Sequence, residues 1–239
     1  MKVSLISCTP DAEALLLFTK STRLSMSPGL LEEIRRWPDE LKASELDYMA
    51  NTIPSSWEFI DYVFLVEGVS RAYTHQQVRT RAGSYAQQTM RVLNMGEFDY
   101  VYSRKVGDNP VAKRIVDEAL TAIKRAYQNL TALGLPPEDA RGVLPTNIAT
   151  NIVCKFNLRT MAELARSRTG GRTQDEYQRV VLAMIDAVLA VHPWADRFFF
   201  PKGRDHFAAI EAFAEREYGN DLIKKGELLK IVDQLRKEA

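Results

Sequence analysis

The run from Trp57 to Glu67, rich in aromatic and β-branched residues, hands over directly to a stretch without a single Asp or Glu. The first part reads as a strand apolar on both faces, which belongs inside a sheet and not at a wet edge. The second, Gly68 to Gly96, reads GVSRAYTHQQVRTRAGSYAQQTMRVLNMG and carries Arg71, Arg79, Arg81 and Arg91 together with His75. Over the whole chain 32 Lys+Arg stand against 31 Asp+Glu, a net charge of +1. An acid-free arginine block in a neutral protein is what a small anion needs. Arginine presents a planar fork of donors that matches phosphate or carboxylate, and a nearby carboxylate would compete for it. A solvated basic face is the alternative. The interleaved Gln76, Gln77, Ser84, Gln87, Gln88 and Thr89 favour the site, because uncharged polar groups suit a base or a sugar.

The 239 residues suffice for one large domain with a buried core, or two small ones. With 46% hydrophobic and 26% charged residues, the composition is that of a soluble globular protein. Apolar runs such as Tyr62 to Val66 are far too short for a membrane span, and MKVSLISCTPDAEALLLF has no signal-peptide pattern. Cys8 and Cys154 lie in apolar, strand-like segments, with neither zinc-site spacing nor the numbers for a disulfide framework. A reducing cytoplasm is the expected location. A net charge near zero argues against an extended nucleic-acid surface, where phosphate neutralisation dominates.

Taken in order, Lys2 to Ser7 alternates as a strand, and Thr9-Pro10-Asp11 opens a helix through Phe18, with proline at its first position. Thr22 to Pro28 is a polar break, and Gly29 to Trp37 and Ser44 to Asn51 read as short helices. Val69 to Val78 is expected to be a helix delivering the arginines, followed by a loop with a strand end from Arg79 to Asn94. Asn109-Pro110 starts the clearest long helix, Asn as cap and Pro in the first turn; it stops at Gly134. Its Ile115, Ala119, Ile123, Ala126, Tyr127 and Leu130 predict a core-facing stripe. Pro137 to Arg141 gives a helical turn, Asn151 to Phe156 a strand and Thr160 to Arg166 a short helix. Thr173 and Glu176 predict a capping box for a helix closed by Pro193. Two further helices are expected over His206 to Tyr218 and Asp221 to Lys237. The pattern predicts an α+β domain at 1–202 with a helical extension at 203–239.

Neither G-x-G-x-x-G nor G-x-x-x-x-G-K-[ST] occurs, so the Rossmann and P-loop phosphate cradles are excluded. His75, His192 and His206 show no ligand spacing, so no metal is expected. Neither cysteine is a defensible nucleophile. A second arginine group comprises Arg141 before GVLPTN, Arg159 in FNLR, and Arg168 and Arg172 around Gly170-Gly171. The glycine pair reads either as a lid closing on an anion or as a solvated turn.

The order GVSRAxxHQxVRxRxxSYxQQxxR, then ARxVLPxN, then Asn157-x-Arg159, then an arginine ahead of Gln174-x-Glu176, resembles the flavin-dependent thymidylate synthases from about Ser25 to about Trp194. Their signature is Arg-His-Arg, seven residues, then Ser; here it stands as Arg79-Thr80-Arg81, seven residues, then Thr89. The resemblance implies an α/β (α+β) fold with a central, mostly antiparallel sheet and long helices, assembled as a homotetramer with sites at subunit interfaces. It implies FAD reduced by NADPH, methylenetetrahydrofolate as carbon donor, and methylation at C5 of dUMP without a cysteine nucleophile. Carried over by position, Gln76, Arg79, Gln87, Gln88, Thr89, Met90, Arg91 and Arg141 line the nucleotide. Arg168 is the catalytic residue, sitting on the pyrimidine and favouring its ionised N3 form. Ser25, Ser55, Arg79, Thr80, Arg81, Gln87, Asn157, Arg159 and Glu163 face FAD.

The departures from the signature are chemical. Histidine offers a ring that stacks and titrates, and Thr80 offers neither. Thr89 keeps the hydroxyl of the expected serine. Such a member is expected to methylate dUMP or UMP, the latter as in nucleoside-antibiotic pathways. A homologue that binds nucleotide or flavin without turnover, a hydroxymethylating variant, and a small nucleic-acid-binding module are the alternatives.

Overall fold

The computed structural model describes residues 1–91, 96–170, 173–200, 206–218 and 221–238. They fall into two units, Met1–Phe200 and Pro201–Ala239. Four strands, β1 (Lys2–Cys8), β2 (Asp61–Ser70), β3 (Ser84–Gln87) and β4 (Ala149–Asn157), form one antiparallel sheet in the order β1-β2-β4-β3. The α+β class is thus the one the sequence indicates.

Side chains alternate across the sheet because the strand period is two. Tyr62, Phe64 and Val66 of β2 and Ile152, Cys154 and Phe156 of β4 are buried on the inner face, paired Tyr62 to Phe156, Phe64 to Cys154 and Val66 to Ile152. Val63, Leu65 and Val153 on the outer face are only half-buried, and Asn151 and Lys155 are exposed. The strand expected to be covered on both faces is covered on one within a single chain. It also begins later than predicted, because Pro54–Phe59 forms a 3-10 turn instead.

The helices of the first unit are α1 (Ala12–Ser21), α2 (Leu30–Arg35), α3 (Asp39–Thr52), α4 (Arg71–Gln77), α5 (Arg104–Gly107), α6 (Pro110–Ala132), α7 (Pro137–Ala140), α8 (Leu158–Arg168), α9 (Asp175–Val191) and α10 (Asp196–Phe199). The stripe Tyr177, Val180, Val181, Met184, Ile185 and Val188 lays α9 on the inner face of the sheet against β1 and β2. Leu16, Leu17, Ile34, Leu46, Met49 and Phe198 extend the same core through α1, α2, α3 and α10. Each such side chain, fully withdrawn from water, contributes about 1.5–3 kcal/mol.

Four local expectations are corrected. Pro10 lies outside α1, which begins at Ala12 after Asp11 in a left-handed conformation (φ 51°). Val69 and Ser70 belong to β2, so α4 begins only at Arg71. The capping box does not form: Gln174 is the N-cap of α9 without a side-chain cap bond, and Glu176 is engaged elsewhere. The stripe on α6 is a core stripe only in part within the single chain: Tyr127 is fully buried and Ile123 packs on a buried cluster, but Ala119 is exposed and Ile115 is 60% exposed. Leu120 packs with Phe98 and Ile148 in a small separate cluster that also takes in Met90, Tyr100, Val116, Ile123 and Leu144. The ends of α6 follow expectation. Asn109 Oδ1 accepts from the Val111 and Ala112 amides at 3.0 and 3.1 Å, and Gly134 beyond the last turn has φ +86°.

A bulge between Val66 and Val69 sets up the site. Gly68 takes φ +64° there, and its amide donates to Asn151 Oδ1 at 3.0 Å. The extra residue turns Val69 and Ser70 both inward and aims the chain into α4.

In the second unit, α11 (His206–Tyr218) and α12 (Leu222–Glu238) pack on each other with Ala214 and Val232 buried and an ion pair between Lys225 and Glu215.

Candidate functional site

Ser70 is the corner of the site. Its hydroxyl caps α4 by accepting from the Tyr73 amide at 3.1 Å, and donates to Glu176 Oε2 at 2.5 Å. The Ser70 amide donates to Glu176 Oε1 at 2.7 Å. Glu176, 7% exposed, thus uses both carboxylate oxygens to tie the first turn of α9 to the end of β2. A cavity of about 620 Å³ opens beside this corner, bordered by Ser70, Asn147, Gln174, Glu176, Arg104 and Lys105.

Around this corner the residues expected to bind nucleotide fall into two groups. In the first, Arg71 Nη2 donates to the Gln88 carbonyl at 2.5 Å, while its buried Nε has no partner among the described residues. Burial, and then the nearby Arg141 cation, hold the Arg71 pKa below its usual value. Arg91 Nε pairs with Glu138 at 2.9 Å, and Arg141 Nε donates to the carbonyl of the same residue at 3.2 Å. Thr89 Oγ1 accepts from the Arg91 amide at 3.0 Å, and Met90 packs on the cluster under α6.

The second group joins α4, α8 and α9. Gln76 Nε2 donates to Gln174 Oε1, and Gln87 Nε2 donates to Thr74 Oγ1 at 2.8 Å. Arg168 ends α8 with its guanidinium carbon 5.1 Å from the centre of the Tyr177 ring. Among the described residues, no hydrogen bond or ion pair joins Arg168 to Arg79, Arg91 or Arg141 within one chain. Gly171 and Arg172, the rest of the expected lid, lie outside the described residues, as do Val92 to Asn94 of the expected loop.

Of the residues expected to face FAD, Gln87 lies with Thr74 in the second group, while Asn157 and Arg159 lie at the opposite end of the sheet, where Asp61 faces Asn157 and Ser84 faces Lys155. Arg23 Nη2 donates to Ser55 Oγ at 2.8 Å beside a cavity of about 470 Å³ walled by Phe18, Met26 and Phe59. Ser25 is exposed on the same loop. Asn157 Oδ1 caps α8, accepting from the Thr160 amide at 2.8 Å. Arg159 is held by Glu58 at 2.7 Å and Glu163 at 3.6 Å. The Thr80 carbonyl accepts from the Tyr85 hydroxyl at 2.7 Å; burial raises the pKa of that phenol to about 12. Arg79 and Arg81 are exposed.

Ser70 carries the corner of the site without having been singled out in the sequence, and Gln174 and Glu176 stood out only as parts of a motif and an expected capping box. Arg71 was visible as a member of the acid-free block. The Ser70–Glu176 bond spans 106 positions, and no local pattern announces it.

Fold and site together define an α+β protein in which Arg71 and Arg168, without carboxylate partners among the described residues, lie on the helices that meet the Ser70–Glu176 corner. Residues 4–194 match the family described as thymidylate synthase complementing protein. The flavin-dependent thymidylate synthase of Geobacter sulfurreducens is 32% identical over 200 residues, covering 81% of this chain and 84% of that protein. That of Sulfolobus acidocaldarius is 31% identical over 193 residues, covering 81% and 74%. That of Saccharolobus solfataricus is 32% identical over 197 residues, covering 81% and 74%. The chain belongs to this family and is an enzyme of the flavin-dependent thymidylate synthase type.

Proposed function

We propose that the enzyme methylates C5 of a uridine monophosphate, dUMP or UMP, taking the carbon from methylenetetrahydrofolate and reducing power from NADPH through FAD. One observation carries this reading. Arg71, Arg79, Arg81, Arg141 and Arg168, all drawn from the two arginine groups of the sequence, have no carboxylate partner among the described residues. Guanidinium groups kept clear of acids are available to a phosphate and an ionised base.

Gln76, Arg79, Gln87, Gln88, Thr89, Met90, Arg91 and Arg141 are assigned to the nucleotide. Arg91 then exchanges Glu138 for phosphate, an exposed pair that costs little to break. Arg168 is assigned to the pyrimidine, where a fixed cation lowers the N3 pKa and so raises electron density at C5. The apolar wall of Phe18, Met26 and Phe59 beside the Arg23–Ser55 pair fits an aromatic ring system with polar edges. Ser25, Ser55, Arg79, Thr80, Arg81, Gln87, Asn157, Arg159 and Glu163 would hold the FAD. When bound, FAD supplies the electrons that reduce the transferred carbon. Because no hydrogen bond or ion pair joins Arg168 to Arg79, Arg91 or Arg141 of the same chain among the described residues, the reading includes a homotetramer whose sites are completed by a neighbouring copy. Free, unpaired Cys8 and Cys154 suit a reducing cytoplasm.

Incubation with FAD, NADPH, methylenetetrahydrofolate and an equimolar mixture of dUMP and UMP, read by mass spectrometry, tests this. A mass gain of one methyl group on either nucleotide is expected. Absence of product from a yellow, flavin-loaded preparation would support the binding-only homologue, with Thr80 as the first position to revert to His.

A further inference from the structure

We propose that Tyr177 is the positioning residue for Arg168, holding its guanidinium by the face of the ring and leaving the guanidinium donors free for the substrate. The inference rests on the substrate role assigned to Arg168 above.

An arginine beside a reacting base needs fixing without being neutralised. A carboxylate would fix it, but would occupy its donors and cancel the charge that acts on the ring. Arg168 has no carboxylate partner among the described residues, and its buried Nε makes no hydrogen bond. What it does have is an aromatic face, with the guanidinium carbon 5.1 Å from the Tyr177 ring centre. The ring quadrupole attracts a cation there without consuming an N–H, and more strongly where water is excluded.

Tyr177 itself cannot swing. It is 0% exposed on α9, and its ring meets Tyr73 edge-on, with centres 5.3 Å apart and planes at 79°. Tyr73 is also fully buried, its hydroxyl donating to Gln77 Oε1 at 3.0 Å. One residue before Tyr177, Glu176 pins the same helical turn to Ser70 through both oxygens. The Tyr177 hydroxyl is buried and has no hydrogen-bond partner among the described residues. The ring, not the phenol, is therefore the working part.

This distinction gives the test. Flavin-loaded enzyme is titrated with dUMP and with UMP, with Tyr177 replaced by Phe, by increasingly fluorinated phenylalanines, and by Leu. Fluorination keeps the ring's shape while draining its face of negative potential. Tyr177→Phe is expected to bind nucleotide as the parent does, and affinity to fall stepwise with fluorination. Tyr177→Leu is expected to weaken binding about three- to thirtyfold, and flavin affinity to stay constant throughout the series. In an Arg168→Ala background the fluorination series should be flat. A flat series with Arg168 intact, while Arg168→Ala still weakens binding, overturns the role of Tyr177 and leaves that of Arg168 standing. Parent-like binding by Arg168→Ala overturns the substrate role of Arg168, and this inference with it. Should Tyr177→Leu fail to fold, the fluorinated series decides alone.

Discussion

At the scale of single residues, Ser70 and Glu176 show how one buried charge is made tolerable. The carboxylate receives an amide and a hydroxyl at 2.7 and 2.5 Å, so each of its oxygens has a donor. Ser70→Ala removes one of those donors and the cap of α4 together. It is expected to lower the unfolding free energy by about 1–3 kcal/mol in urea titrations. An unchanged midpoint would show that the corner is held by packing alone. His192 gives a pH-dependent counterpart. Its Nδ1 lies 3.1 Å from the Tyr62 hydroxyl, and burial lowers its pKa below 6.5. The unfolded chain then binds the proton more readily than the folded one. This contribution to stability is complete above pH 6.5 and is lost as pH falls toward the depressed folded value. Thermal melts of His192→Gln should show a shallower decline than the parent between neutral and mildly acidic pH. Parallel declines would remove His192 from the account.

At the scale of elements, local chemistry was legible where the capping partners are neighbours in sequence and no distant group competes for them. Asn109-Pro110 and Gly134 bound α6 as their residue types dictate, since capping needs only neighbours in sequence. Asn109→Ala is expected to cost about 0.5–2 kcal/mol of stability by denaturant unfolding, and Asn109→Ser to restore most of it. The capping box at Thr173 and Glu176 failed for the complementary reason. A distant donor pair at Ser70 offers Glu176 a buried, doubly satisfied arrangement, stronger than one backbone amide at a helix end. The stripe on α6 held at Tyr127 and Ile123 but not at Ile115, because periodicity says which residues share a face, not whether anything covers that face.

At the scale of the whole molecule, apolar side chains stay open to water on both α6 and the sheet. Val111 and Ile115 of α6 are each 60% exposed, and Val63, Leu65 and Val153 are half-buried on the outer face of the sheet. Such surface is consistent with the homotetramer proposed above. Ile115→Glu is expected to lower the assembled mass seen by light scattering and to abolish nucleotide methylation while secondary structure persists. Full assembly by this variant would place the subunit contact elsewhere. A chain ending at Phe200 is expected to keep cooperative unfolding, because the first unit holds its own core. Loss of that transition would make the last helices part of the fold.

The sequence by itself determined the α+β class, the bounds of the long helices and the acid-free arginine block, because these follow from local sterics, capping and the placement of charge along the chain. Only the tertiary structure decided that Arg71 stands beside Arg141, that Glu176 serves Ser70 and that Arg168 rests on Tyr177. The first two join residues far apart in the chain and the third joins two helices that follow one another; all are chosen by which buried groups find partners once the core has closed.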